Sequence, residues 1–247
     1  MLHVENVIRK FGTKEVLSGV SMTLKSGSLN GLIGPGGSGK SALLKIMVGI
    51  SKADSGAVNI EHPNHDDEPT FGFMFQEGAL FDSLNVFDNV AFPLARGKVP
   101  AGLLGRKKRR EVTIAVREVL AKLGLSKAEK KLPGQLSGGM RRRVSLARAI
   151  VTRPAYVLLD DPTSGLDPVA SSVIMNLISG LQREYRPTML IVSQDLRRLL
   201  PMVDTIFALY DGSIQFEGTL SDLKKCSKEY LRSFVSCRYD LNAPSGA

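Results

Sequence analysis

Residues Gly34-Pro35-Gly36-Gly37-Ser38-Gly39-Lys40-Ser41 satisfy G-x-x-x-x-G-K-[ST] at every fixed position, and their flanks narrow what such a chain can fold into. Leu29 to Ile33 is a short apolar run of the kind that forms a buried strand. Ala42-Leu43-Leu44-Lys45-Ile46-Met47 is rich in helix formers. A strand, a glycine loop and a helix in that order make a phosphate cradle. Glycine is needed because backbone N–H groups must close around phosphate oxygens, and a Cβ blocks that wrap or the positive φ it uses. The Lys40 ammonium then serves the β- and γ-phosphates, the Ser41 hydroxyl ligates Mg²⁺, and the helix N-terminus adds partial positive charge.

The chain has 247 residues, room for one large α/β domain or for a core carrying an inserted subdomain. No run approaches the roughly 18 unbroken apolar residues of a membrane span. Residues 1–20 read as strand, turn and strand, not as a signal peptide, so the protein is expected to stay in the compartment where it is made. Two cysteines, Cys226 and Cys237, and three scattered histidines argue against a disulfide framework or a zinc site, and fit a reducing cytosol. The net charge of +9 is spread over separate clusters at 106–110, 141–143 and 197–198. Such clusters serve a nucleotide, a nucleic acid or an anionic membrane surface, or are simply solvated helix faces.

Along the chain, residues 2–9 and 16–24 read as strands around a turn at Phe11-Gly12-Thr13-Lys14, an antiparallel sheet ahead of the phosphate loop. Phe11 at that turn either fills a small core or stacks on a base. A short strand at 57–60, a polar surface loop at 61–69 and a strand at 70–75 running into Gln76 follow, then helical spacing over 85–94. Between 96 and 131 the residues become Lys/Arg-rich helix formers, with Val112, Val116, Val119, Leu120 and Leu123 in one stripe ended by Gly124. This reads as an α-helical insertion over about 77–153. Strands at 156–160, 188–193, 205–210 and 213–217 alternate with helices at 169–183 and 195–202. That order predicts an α/β fold with a mainly parallel sheet, and a tail that is disordered from about 241 to 247.

Kinases, GTPases and helicases share such a loop, so later residues discriminate. Asp160 closes an apolar strand, which suits a carboxylate holding Mg²⁺ through water, and adjacent Asp161 is placed to polarise an attacking water. Leu136-Ser137-Gly138-Gly139-Met140 opens a helix whose Ser137 and backbone N–H groups at Gly138 and Gly139 suit a γ-phosphate. With these residues the chain resembles the ATP-binding-cassette (ABC) family of ATPases, whose signature Leu-Ser-Gly-Gly-x is matched at 136–140.

The resemblance spans roughly residues 2–220 and implies a P-loop NTPase of ABC type, with an N-terminal antiparallel β-subdomain and an inserted helical subdomain in one domain over 1–240. It implies ATP and Mg²⁺ as cofactors. The signature would grip ATP held by the loop of a second ABC ATPase subunit, in a homodimer or a heterodimer. By the same resemblance Phe11 is the base-stacking aromatic, Gln76 the glutamine that senses Mg²⁺ and the transmembrane partner, and Ser164-Gly165-Leu166-Asp167 the loop that crosses the dimer seam.

Residues 75–81 and 85–94, and Met140 where most cassettes carry glutamine, look like the ATPase subunits of Mla/Mce-type lipid transporters. That likeness implies a transmembrane permease, an MCE-domain lipid-binding protein, and a place on the cytoplasmic face of an inner membrane. Residues 228–239 resemble the C-terminal extension of those subunits, here about 220–240, and read equally as an amphipathic end-helix. Two positions depart from the family. Its catalytic glutamate is Asp161 here and its switch histidine is Gln194. A carboxylate retracted by about 1.5 Å and an amide that carries no proton both predict slowed hydrolysis with ATP binding intact. Nucleic acid is not an expected partner; the alternative reading is a soluble nucleotide switch or nucleic-acid-associated ABC protein.

Overall fold

The computed structural model describes residues 1–61 and 70–241; most of the loop read at 61–69 and the tail beyond 241 lie outside the described residues. The chain forms two units, one of residues 1–69 with 182–247 and one of residues 70–181.

The first unit opens with β1 (Leu2–Phe11) paired antiparallel to β2 (Lys14–Leu24), from Leu2 opposite Leu24 to Phe11 opposite Lys14. A register shift between Val4 and Val7, where Asn6 has a φ of 48°, re-phases β1 so that Leu2, Val4 and Val7 are all buried. After β3 (Leu29–Ile33), every residue of which is buried, come α1 (Lys40–Met47) and β4 (Ser55–Ile60). β4 completes a three-stranded sheet in the order β2-β1-β4. The antiparallel pairing and the strand–loop–helix order follow the sequence reading.

In the second unit β5 (Phe71–Met74) runs parallel to β6 (Tyr156–Asp160), with Phe71 opposite Tyr156 and Met74 opposite Leu159. Between them lie α2 (Val86–Ala91), α3 (Arg106–Lys122) and α4 (Gly138–Ile150). The stripe on α3 is buried from Val112 to Leu120, Leu123 is buried just past its end, and Gly124 terminates it at a φ of 67°. Each such side chain contributes about 1.5–3 kcal/mol on leaving water. α5 (Pro168–Tyr185) opens on proline and is capped by Asp167, whose Oδ1 accepts the N–H groups of Val169 and Ala170 at 2.9 Å each.

The chain returns to the first unit through β7 (Thr188–Val192), α6 (Leu196–Leu199), β8 (Thr205–Tyr210), β9 (Ser213–Gly218), α7 (Leu220–Lys225) and α8 (Glu229–Ser236). β3 lies between β7 and β8, parallel to both, and β9 folds back antiparallel on β8 across Asp211-Gly212. The polar residue within β3, Asn30, is buried with its amide bonded: its Nδ2 donates to the Met189 carbonyl at 2.9 Å and to Ser28 Oγ at 2.8 Å.

Two differences from the sequence reading stand out here. The helix read at 195–202 is only the single turn of α6, because Pro201 brings no N–H to continue the ladder. α7 is a helix that the sequence reading does not include, although Thr219-Leu220-Ser221-Asp222 is a capping-box pattern. The Thr219 N–H donates to Asp222 at 2.9 Å and the Asp222 N–H to Thr219 Oγ1 at 3.2 Å. No helix among the described residues is long and apolar enough to cross a membrane.

Candidate functional site

In the first unit the loop from Gly34 to Lys40 leaves β3 and turns straight into α1. Both of its ends are pressed against backbone. A Cβ on Gly34 would lie 2.2 Å from the Leu209 carbonyl oxygen; one on Gly39 would lie 2.8 Å from the Val16 carbonyl oxygen. Their φ angles are 149° and 99°, so conformation and space both require glycine. Gly36 and Gly37 face outwards, with nothing within 4 Å of a Cβ built there. The Lys40 ammonium is buried under the loop, donating to the carbonyls of Gly34 at 2.9 Å and Pro35 at 2.6 Å and to Ser38 Oγ at 3.2 Å.

Gly39, the N-cap of α1, has no side-chain oxygen with which to cap the helix. A cradle that excludes side chains, lined with N–H donors and a held cation, fits a phosphate chain. Ser41, the second residue of α1, is half-buried and supplies a hard oxygen of the kind Mg²⁺ takes. Phe11 is 54 % exposed at the end of β1, which removes the small-core reading, and the Arg9 guanidinium lies 4.8 Å over its ring. Gln194 is exposed just beyond β7, in a turn where the Leu196 N–H donates to the Gln194 carbonyl at 3.1 Å.

In the second unit Asp160 and Asp161 are both buried at the end of β6. Asp161 takes a φ of 46°, a left-handed conformation that non-glycine residues seldom adopt. The turn it starts is closed by the Ser164 N–H donating to the Asp161 carbonyl at 3.1 Å, and Arg142 Nη2 donates to the Ser164 carbonyl at 2.8 Å. Burial pushes the Arg142 guanidinium below its ordinary pKa, while the Asp161 and Glu77 carboxylates favour its charge.

Ser137 caps α4 by accepting the Met140 N–H at 3.3 Å, and a cavity of about 320 Å³ opens at that helix tip between Ser137, Gly138 and Gly139 on one side and Gly165, Leu166 and Asp167 on the other. A Cβ on Gly138 or Gly139 would find only ordinary van der Waals neighbours, at 3.5 and 3.6 Å. Packing does not demand glycine there; its effect is to leave the N–H groups of the tip accessible from the cavity.

Gln76 is exposed after β5, in a segment held from two sides. The Gly78 carbonyl accepts from Ser145 Oγ at 2.9 Å and from Arg148 Nη2 at 2.8 Å. Fully buried Asn89 accepts the Phe81 N–H at 2.8 Å and donates to the carbonyls of Phe81 at 3.0 Å and Leu84 at 2.9 Å. The Phe81 and Phe92 rings sit 4.7 Å apart with the Arg148 guanidinium 5.6 Å over Phe81, beside an apolar groove of about 450 Å³ lined by Phe71, Phe73, Phe75 and Pro93. Burial pushes the Arg148 guanidinium below its usual pKa. Asn89, Arg142, Ser145 and Arg148 were not singled out from the sequence as site residues. Arg142 shows there only as part of the basic cluster at 141–143 and Asn89 only within the segment 85–94, while Ser145 and Arg148 show as polarity on a helix.

A glycine cradle around a buried lysine, and separately a carboxylate pair closing a parallel strand near a glycine-tipped helix, define a P-loop nucleotide hydrolase. A family model described as ABC transporter matches residues 17–164, and the chain belongs to that family. It is 33 % identical to the "Probable ribonucleotide transport ATP-binding protein mkl" of Mycobacterium bovis, over 96 % of this chain and 67 % of the relative. It is 33 % identical to "Protein TRIGALACTOSYLDIACYLGLYCEROL 3, chloroplastic" of Arabidopsis thaliana, over 97 % of this chain and 74 % of the relative. Among solved structures it is similar to the dimeric bacterial ABC transporter cassette MJ0796, with a TM-score of 0.75 and 30 % identity over 89 % of this chain and 98 % of that one. The fold is that of an ABC ATPase, with a parallel core and an antiparallel N-terminal sheet, and the chain is an ATPase that binds ATP with Mg²⁺.

Proposed function

We propose that this chain is the ATP-binding subunit of a membrane lipid transporter, coupling an ATP-driven pairing of two cassettes to a transmembrane permease and an MCE-domain lipid-binding protein. Residues 1–240 act as one ATPase domain, with about 77–153 as its helical insertion, on the cytoplasmic face of the membrane. The observation that carries the permease is the apolar groove rimmed by Phe81 and Phe92, a site for a short amphipathic helix. The lipid class rests on the Mla/Mce-like residues at 75–94 and Met140, and on similarity to a relative named for a galactosyl diacylglycerol.

In this reading Gly34 to Gly39 and Lys40 hold the phosphates and Phe11 stacks on the base. Ser41, Gln76 and Asp160 attend Mg²⁺, whose charge offsets that developing on the phosphoryl oxygens. Asp161 orients water, Gln194 bonds the γ-phosphate, and Ser137, Gly138 and Gly139 complete the site of a second subunit. Asp161 and Gln194 slow hydrolysis without weakening binding. Replacing Leu80 and Phe81 together by glutamate tests the docking surface. The variant is expected to bind ATP like the parent and to leave the membrane fraction; retention with the membrane complex after mild detergent extraction overturns the assignment.

A further inference from the structure

Arginines 141–143 look in the sequence like one solvated basic cluster, but successive helix residues point about 100° apart, and the three side chains do three different things. Arg141 Nη1 donates to the Leu136 carbonyl at 2.7 Å, Arg143 Nη1 to the Leu123 carbonyl at 3.0 Å, and Arg142 Nη2 to the Ser164 carbonyl at 2.8 Å. Only the Arg142 bond reaches the turn that carries Asp161. That turn needs holding: Asp161 stands at a φ of 46°, in the left-handed region, which a residue other than glycine keeps where its surroundings impose it. The Ser164 N–H donates to the Asp161 carbonyl at 3.1 Å, so Arg142 grips the turn at one end and Asp161 sits at the other.

The charged groups around the guanidinium are Asp161, Glu77 and Arg141, two opposite charges against one like charge. Arg142 Nη1 is buried without a hydrogen-bond partner among the described residues, so hydrogen bonding does not saturate the cation.

We infer that Arg142 is a positioning residue for ATP hydrolysis, fixing the 161–164 turn to helix α4 so that the Asp161 carboxylate meets the attacking water in one place. This rests on the reading of Asp161 as the water-orienting carboxylate. A displacement near 1 Å at a reacting group costs on the order of a hundredfold in rate, so a loosened turn is felt in the chemical step and not in ATP affinity.

The test is single-turnover hydrolysis and ATP affinity measured on the full chain, with thermal melting alongside, for the parent, Arg142→Gln, Arg142→Lys, Asp161→Asn and the Arg142→Gln/Asp161→Asn pair. Arg142→Gln is expected to lower the single-turnover rate by about 10- to 100-fold with Kd within about twofold, and Arg142→Lys to restore part of the loss. In the Asp161→Asn background Arg142→Gln should add less than about a twofold loss, because the group it positions is gone. A parent-like rate in Arg142→Gln while Asp161→Asn is inactive overturns this inference alone. A parent-like rate in Asp161→Asn overturns the reading beneath it. If Arg142→Gln does not fold, Arg142→Lys carries the test: a rate loss with unchanged Kd and melting supports the inference, and no rate loss overturns it.

Discussion

The carbonyl oxygen of Leu209 occupies the space where Gly34 would carry a side chain, 2.2 Å from an ideal Cβ. β8 is thereby in direct contact with the first residue of the phosphate loop, and Lys40 bonds the carbonyl of that same glycine at 2.9 Å. Replacing Gly34 by alanine forces the loop away from β8 or out of its φ of 149°. Strain of about 1–3 kcal/mol at the cradle is expected to weaken ATP binding by about 10- to 100-fold. Titration of a fluorescent nucleotide against Gly34→Ala measures it, and an unchanged Kd refutes the requirement.

The retracted carboxylate at Asp161 and the amide at Gln194 make opposite substitutions informative. Asp161→Glu combined with Gln194→His should raise the single-turnover hydrolysis rate by about tenfold or more, since restored reach is worth on the order of a hundredfold per ångström at a reacting group. ATP affinity should stay within about twofold. A rate no higher than the parent's shows that the shorter carboxylate is already well placed.

The C-terminal helix α8 docks through buried Leu231 and Val235, and its Tyr230 and Phe234 rings lie 5.0 and 5.7 Å from Tyr210. Burial, and then the neighbouring Tyr230, pushes the Tyr210 phenol up to about 12 from an ordinary 10.0. Raised in the fold, the group contributes its full stability below pH 10. That stability is lost as the pH climbs from 10 towards 12, where the unfolded chain ionises first. The Tyr210 hydroxyl has no hydrogen-bond partner among the described residues, so Tyr210→Phe leaves no orphaned group behind. The variant is expected to match or exceed the parent in denaturant midpoint at pH 8 and to lose less of it at pH 11.5. An equal alkaline loss in both proteins rules Tyr210 out as the titrating group.

What the sequence makes legible is local. The run from Leu29 to Met47 predicts strand, loop and helix because each residue's preference agrees with its neighbours', and β3, the loop and α1 appear in that order. The stripe from Val112 to Leu123 predicts α3 for the same reason. α7 carries its signal in a capping box, whereas the apolar spacing over 195–202 runs across a proline at which α6 has already ended. Phe11 was ambiguous because a turn aromatic is equally at home in a core or in solvent; only its surroundings expose it.

The division falls between short-range and long-range chemistry. Backbone conformation, helix propensity and apolar period act within a few residues, so the phosphate loop, the glycine-tipped helix and the carboxylate pair after β6 were legible as a string of letters. Nothing within a few residues of Arg142 or Asn89 distinguishes an arginine that grips Ser164 or an asparagine that clamps Phe81, and the motif that asks for glycine at Gly34 does not reveal that the Leu209 carbonyl fills the space beside it. Those roles depend on partners that are remote in sequence or on a different helix face. Folding must bring burial and hydrogen-bonding geometry together before they exist.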